Sequence, residues 1–188
     1  MGYFLKSNLF LYDRQRGWRH YQLTACRNCL GCTIIEKTTF PIHFEDRSGI
    51  EFERLVFAFV CRIKNWDKVQ WLGETGNDNG RDIWGEYKGS TFCFQCANQR
   101  HLPFKKVKDD IDKLVKNNLI PDCLILVCNR ITDNMRTLFK SYAGQFGIKE
   151  TEVWRGFEFE EKLRKDAPEI FKRFVEGDAF PKVPACLL

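Results

Sequence analysis

No stretch of this sequence approaches the ~20 consecutive apolar residues that a membrane-spanning helix needs. Its longer apolar runs, such as Leu55 to Cys61 and Cys123 to Cys128, fall far short of that. No secretory start is visible either, because Tyr3 to Tyr12 is interrupted by Lys6, Ser7 and Asn8. Without such a start, nine cysteines, an odd number, point to reduced thiols in the cytosol rather than to a disulfide framework. The expectation is a cytoplasmic chain that does not span a membrane. The sequence also lacks internal repeats, low-complexity segments and a strong charge imbalance. A net charge of +5 suits an anionic partner, but it is also common in proteins with none.

What is present is enough for one substantial core: 188 residues, 44% hydrophobic and 14% aromatic. The chain divides into an N-terminal appendage (1–47), a main domain (48–178) and an extended tail or linker (179–188). The appendage shows no clear periodicity. It carries Cys26, Cys29 and Cys32, whose spacing allows three thiolates on one zinc, with His20 or His43 as a fourth ligand. A structural zinc site usually needs a second ligand pair, and none follows, so Zn²⁺ is not the favoured reading and less than one zinc per chain is expected. Cys61, Cys93, Cys123 and Cys128 sit in apolar runs, where a thiol serves as a small hydrophobe.

From Ser48, a natural N-cap, Phe52, Leu55, Val56, Phe59, Val60 and Ile63 recur at helical spacing and predict a core-facing helix. Glu53 lies at the border of that stripe, so it can point along the helix toward a cleft. By itself it is an ordinary solvated residue. Strands are predicted over Lys68–Leu72, Asp82–Tyr87 and Thr91–Ala97, then an amphipathic helix over 105–118 with Val107, Ile111, Leu114 and Val115 inward. Cys123–Cys128 is apolar on both faces, as in a strand covered on both sides. A helix over 133–146, a short strand over 150–155 and charged helices to Val175 complete an α/β fold of order αβββαβ, a mixed central sheet flanked by helices.

Within this frame the stretch from Trp71 to Arg100 places polar groups where strands normally carry packing side chains. Gly73, Gly76 and Gly80 form a loop, Asp82 opens a strand, and a Lys88-Gly89 turn leads into the strand carrying Gln95. Asp82 and Gln95 can meet on neighbouring strands, where a carboxylate and an amide carbonyl offer hard oxygen ligands for Mg²⁺. Alone, Asp82 would be a strand-entry residue and Gln95 a buried amide capping backbone groups. Beyond them, Arg100, Lys105 and Lys106 form a basic excess suited to phosphate contacts, or to a solvated helix face. No base-reading element is recognisable.

Phe52-Glu53, the glycine-rich loop, Asp82-Ile83 and Gln95-Cys96-Ala97 together resemble the Mrr-like branch of the PD-(D/E)xK restriction-endonuclease superfamily, whose sites read Glu, Asp and Gln-x-Lys. The resemblance covers roughly residues 48–127. It implies a restriction-endonuclease-like core and a DNA-hydrolysing site with Mg²⁺ or Mn²⁺, in which Asp82 is the main ligand. Gln95, the Cys96 backbone carbonyl and Glu53 would complete the set. Its implied setting is restriction or anti-phage defence, with double-stranded DNA, a second copy of the chain and a sensor or regulatory element as partners. Ala97 stands where the family has its lysine, which implies an impaired or inactive nuclease. Substituting lysine there is expected to create Mg²⁺-dependent cleavage. The rival is a non-enzymatic descendant of the fold that binds nucleic acid or protein.

Overall fold

The computed structural model describes residues 4–13, 17–26, 42–73 and 79–176. The chain forms two compact units, residues 1–40 and 41–188. In the first, β1 (Phe4–Asp13) and β2 (Gly17–Cys26) pair antiparallel from Phe4 opposite Cys26 to Asp13 opposite Gly17. No periodicity marks this hairpin, because neither strand alternates apolar and polar residues strictly, and backbone pairing needs no such alternation. Cys29 and Cys32 lie outside the described residues, as does the tail over 179–188.

The second unit begins ahead of the expected boundary at Ser48. A short 3₁₀ turn, Phe44–Asp46, buries Phe44 completely in the core. The helix α1 (Gly49–Ile63) follows, and its start is fixed by reciprocal capping. The Glu51 N–H donates to Ser48 Oγ at 3.2 Å, and the Ser48 N–H donates to Glu51 Oε2 at 3.0 Å. Phe52, Leu55, Val56, Phe59 and Val60 form its buried stripe. Cys61, although it sits in an apolar run, lies on the exposed side of this helix.

Next come β3 (Lys68–Trp71), β4 (Ile83–Tyr87), β5 (Ser90–Ala97), α2 (Phe104–Lys116), β6 (Cys123–Cys128), α3 (Asp133–Gly144), β7 (Glu150–Arg155), α4 (Gly156–Asp166) and α5 (Pro168–Phe171). The five strands β3 to β7 lie side by side in chain order. The first three are antiparallel; β5, β6 and β7 are parallel, with helical crossovers. Lys88 and Gly89, both at positive φ (50° and 77°), make the two-residue turn that matches the twist of β4 and β5. This is an α/β fold, a mixed five-stranded sheet flanked by helices, and its element order is the one predicted by periodicity.

Both sheet faces are covered. Phe94, Cys123, Ile125 and Val127 pack with α1 and α4, whereas Cys93, Ala97, Leu124, Leu126 and Cys128 pack with α2 and α3. All six β6 residues are buried, as its unbroken apolar run requires. On the α1 face, Phe159 meets the rings of Phe44, Phe52, Phe59 and Trp154, which anchors the helix that carries Glu53. Burial pushes the Cys123 and Cys128 thiols up to about 12, so both remain protonated packing groups near neutral pH. Among the described residues no helix is long and apolar enough to cross a membrane.

Candidate active site

The polar centre forms where β4 and β5 part. The β4–β5 ladder ends at Ile83 opposite Phe94, while β5 continues against β6 to Ala97 opposite Cys128. Gln95, Cys96 and Ala97 therefore extend past the last pairing with β4, which leaves the β4-side backbone groups of Cys96 without a ladder partner. Asp82 supplies the replacement: its Oδ2 accepts the Cys96 N–H at 2.6 Å. In an extended strand the N–H and C=O of one residue point to the same edge, so the Cys96 carbonyl faces this opening as well.

Asp82 is held from behind by the loop. Its backbone carbonyl accepts the N–H groups of Leu72 (2.8 Å) and Gly73 (3.2 Å), which join the end of β3 to the start of β4. Glu53 approaches from α1. Trp71 donates its indole N–H to Glu53 Oε2 at 3.2 Å and stacks on Phe57 with ring centroids 6.2 Å apart. Gly73 passes so close to that carboxylate that a Cβ there would lie 2.2 Å from Glu53 Oε2. The two acidic groups are mutually felt. Burial, opposed by the Cys96 N–H, and then the charge of Glu53 push the Asp82 carboxyl up to about 7. Lys106 pulls it down and Asp110 pushes it up, by smaller amounts.

Gln95 is buried at 5% exposure and donates its amide Nε2 to the carbonyl of Gly80. Gly80 has φ +87° after Asn79 at 53°, a left-handed pair that few residues other than glycine and asparagine adopt readily. A Cβ on Gly80 would also lie 2.8 Å from Lys113 Cβ and 3.0 Å from the Asp110 carbonyl oxygen. The end of the glycine loop is thus clamped between β5 and α2. With its nitrogen committed to Gly80, Gln95 retains its carbonyl end as a hard oxygen donor.

Ala97 is 8% exposed and belongs to the apolar cluster that includes Leu102, Val107 and Ile131. Its position on the Gln95 side of β5 is as expected, but an enclosed apolar site does not direct a side chain to an attacking water. Of the basic residues singled out, Lys105 is exposed on α2. The Arg100 Nε lies 3.9 Å from Glu45 Oε1, at the turn that precedes α1. Lys106 is held at 2.5 Å from Asp110 Oδ2. Asp110 escaped the sequence analysis, although a signal for it exists: it shares the inward stripe of Val107, Ile111 and Leu114 and is 8% exposed. A carboxylate on such a stripe needs a partner. Trp71, which read as an ordinary strand residue, was missed as the group that holds Glu53.

The donor set fits a hard divalent cation. Two carboxylates converge from α1 and the start of β4, where burial first and the Glu53 charge after it raise the affinity of Asp82 for its proton. The Gln95 amide carbonyl and the Cys96 backbone carbonyl are the further oxygens that would have to join them in an all-oxygen set of the kind Mg²⁺ and Mn²⁺ accept together with water. Among the described residues no group of three or more His, Cys, Asp and Glu side chains comes together to hold a metal ion, and Glu53 and Asp82 are two such side chains. Comparison with protein-family models, with curated proteins and with solved structures finds no match.

Proposed function

We propose that this chain is a metal-dependent endonuclease domain of the PD-(D/E)xK type, hydrolysing DNA phosphodiester bonds with Mg²⁺ or Mn²⁺ in a restriction or anti-phage setting. The observation that carries this reading is the convergence of Glu53 and Asp82 at the point where β4 leaves β5, with the Asp82 carboxylate on the Cys96 N–H. A divalent cation there would polarise a phosphoryl oxygen and raise the acidity of water. The chain's own residues do the rest. Asp82 and Glu53 would fix the position of that charge, Trp71 holds Glu53, and Gln95 holds Gly80 through its carbonyl. Position 97 contributes no ammonium. That enclosed alanine favours the second reading, a descendant of the fold that binds nucleic acid without cutting it.

The two readings separate on plasmid, linear duplex, single-stranded DNA and RNA, each incubated with the wild-type chain and with Asp82→Asn in Mg²⁺ and in Mn²⁺. The nuclease reading expects cleavage of duplex DNA that falls on the order of 10²–10³-fold in the variant. Salt-sensitive binding of DNA with no cleavage by the wild type would leave the binding reading in its place.

A related outcome is expected at Gly73. Gly73→Ala displaces only the end of a flexible side chain, so the fold and its melting temperature are preserved. The displaced group is the Glu53 carboxylate, and divalent-cation affinity falls ~10-fold. Calorimetric Mn²⁺ titration beside a thermal melt checks both halves of the prediction.

A further inference from the structure

We propose that the cleft beyond the carboxyl ends of β5, β6 and β7 is a nucleotide-binding site, with Arg130 and Arg100 on the phosphate and Phe157 against the base. This cleft is separate from the Glu53–Asp82 centre, and its role does not depend on the nuclease reading. The three strands are parallel, so their carboxyl ends share one edge of the sheet. From that edge the chain leaves β5 and β6 for α2 and α3 on one face, whereas it leaves β7 for α4 on the other. The loops after β6 and β7 therefore diverge and open a crevice, the place where open α/β sheets take their ligands. A cavity of about 590 Å³ lies there, within the ~300–1,000 Å³ usual for small-molecule sites. Arg100 comes to its wall from the segment after β5, and Arg130, Ile131 and Met135 from the loop and first turn after β6. Arg155 and Phe157 join them from the end of β7 and the start of α4. None of Glu53, Asp82, Gln95 and Cys96 lines the cavity.

The three arginines on this wall are not equivalent. Arg155 is committed, because its Nε and Nη2 both lie 3.2 Å from Glu158 Oε1, which also accepts from Arg136. Arg100 is held only loosely, with Glu45 Oε1 at 3.9 Å and its side chain 72% exposed. Arg130 is exposed, and its guanidinium meets no carboxylate among the described residues. Its charge is left unneutralised by the fold. A phosphate suits Arg130 and Arg100 together, since its oxygens accept from two planar guanidinium groups at once. The rest of the wall is apolar. Ile131 is buried and Met135 half-buried, whereas Phe157 is 63% exposed although Phe159, two residues on, is fully buried in the core. A ring exposed to that degree adds little to the core and offers a face on which a base can stack. A bare anion would leave this apolar side unused. A ligand that fills both halves joins a phosphate to a flat aromatic ring, which is a nucleotide, either free in solution or at the end of a strand.

The test titrates the full chain by calorimetry with the common nucleoside 5′-monophosphates, their nucleosides, inorganic phosphate, and a short single strand of DNA with and without a 5′-phosphate. Chelator is present throughout, so that the Glu53–Asp82 centre plays no part. At least one monophosphate, or the phosphorylated strand, is expected to saturate a single site more tightly than its counterpart without the phosphate and more tightly than phosphate alone. Arg130→Gln and Phe157→Ser should each weaken that binding ~10-fold with circular dichroism unchanged, because both side chains are exposed. Tighter binding of the phosphorylated strand than of any free monophosphate supports the site and assigns it to a strand end; the reverse order, or equal affinity, supports it as a site for a free nucleotide. Inorganic phosphate binding as tightly as every nucleotide, an affinity unmoved by Arg130→Gln or by Phe157→Ser, or no binding of any of these probes overturns the proposal.

Discussion

Asp82→Asn is expected to make the metal-free protein more stable above neutral pH while abolishing its response to Mn²⁺. In the folded chain the Asp82 carboxyl is pushed up to about 7 by burial and by Glu53, whereas an unfolded aspartate titrates near ~3.9. Between these values the unfolded chain has released its proton and the folded chain has kept it, so metal-free stability falls as pH rises from about 4 to about 7. The full loss has an upper bound of roughly 4 kcal/mol and is complete above the folded pKa. Asparagine removes the charge and still accepts the Cys96 N–H, so the variant escapes this loss. A divalent cation offsets the same charge in the wild type. Melting curves at pH 5 and pH 8, with chelator and with Mn²⁺, should show a wild-type gain from Mn²⁺ that is large at pH 8, small at pH 5 and absent in Asp82→Asn.

Ala97→Lys is expected to cost about 3 kcal/mol or more of stability without raising cleavage. The sequence alone suggests the opposite, because a lysine there would complete the strand motif. Ala97, however, is 8% exposed in a cluster with Leu102, Val107, Cys128 and Ile131, and its carbonyl is tied to the Asn129 N–H at 3.2 Å. A lysine adds three methylenes and an ammonium to a packed site, and overpacking of that kind typically costs ~1–3 kcal/mol before the charge is considered. Burying the ammonium, or distorting β5 to release it, adds to this. Chemical denaturation of Ala97→Lys beside Ala97→Met separates the two contributions, since methionine brings the bulk without the charge. A lysine variant as stable as wild type that cuts DNA faster would show that position 97 opens into the cleft.

These two results also mark how far the sequence could be read. The start of α1 was legible because Ser48 and Glu51 cap it reciprocally and because five apolar residues fall on one stripe. The strand β6 was legible because burial on both faces demands an unbroken apolar run. Glu53, Asp82 and Gln95 were legible as polar residues in elements that otherwise carry packing side chains. What escaped was set by tertiary contact. Phe44 belongs to the core through a short 3₁₀ turn with no periodicity of its own. Spacing along the chain also does not show that Gln95 binds Gly80 while Asp82 takes the Cys96 N–H. Lys106 was one of several basic residues at the start of α2, and its distinction from Lys105 came only with the burial of Asp110.

The central claim is that Glu53 and Asp82 form a divalent-cation site, and calorimetric titration of Mn²⁺ into the metal-free chain near pH 8 addresses it directly. The account expects one site in the wild type, weakened in Glu53→Gln and lost in Asp82→Asn, with all three proteins folded. Equal binding by the wild type and Asp82→Asn, or no binding by the wild type, would contradict it.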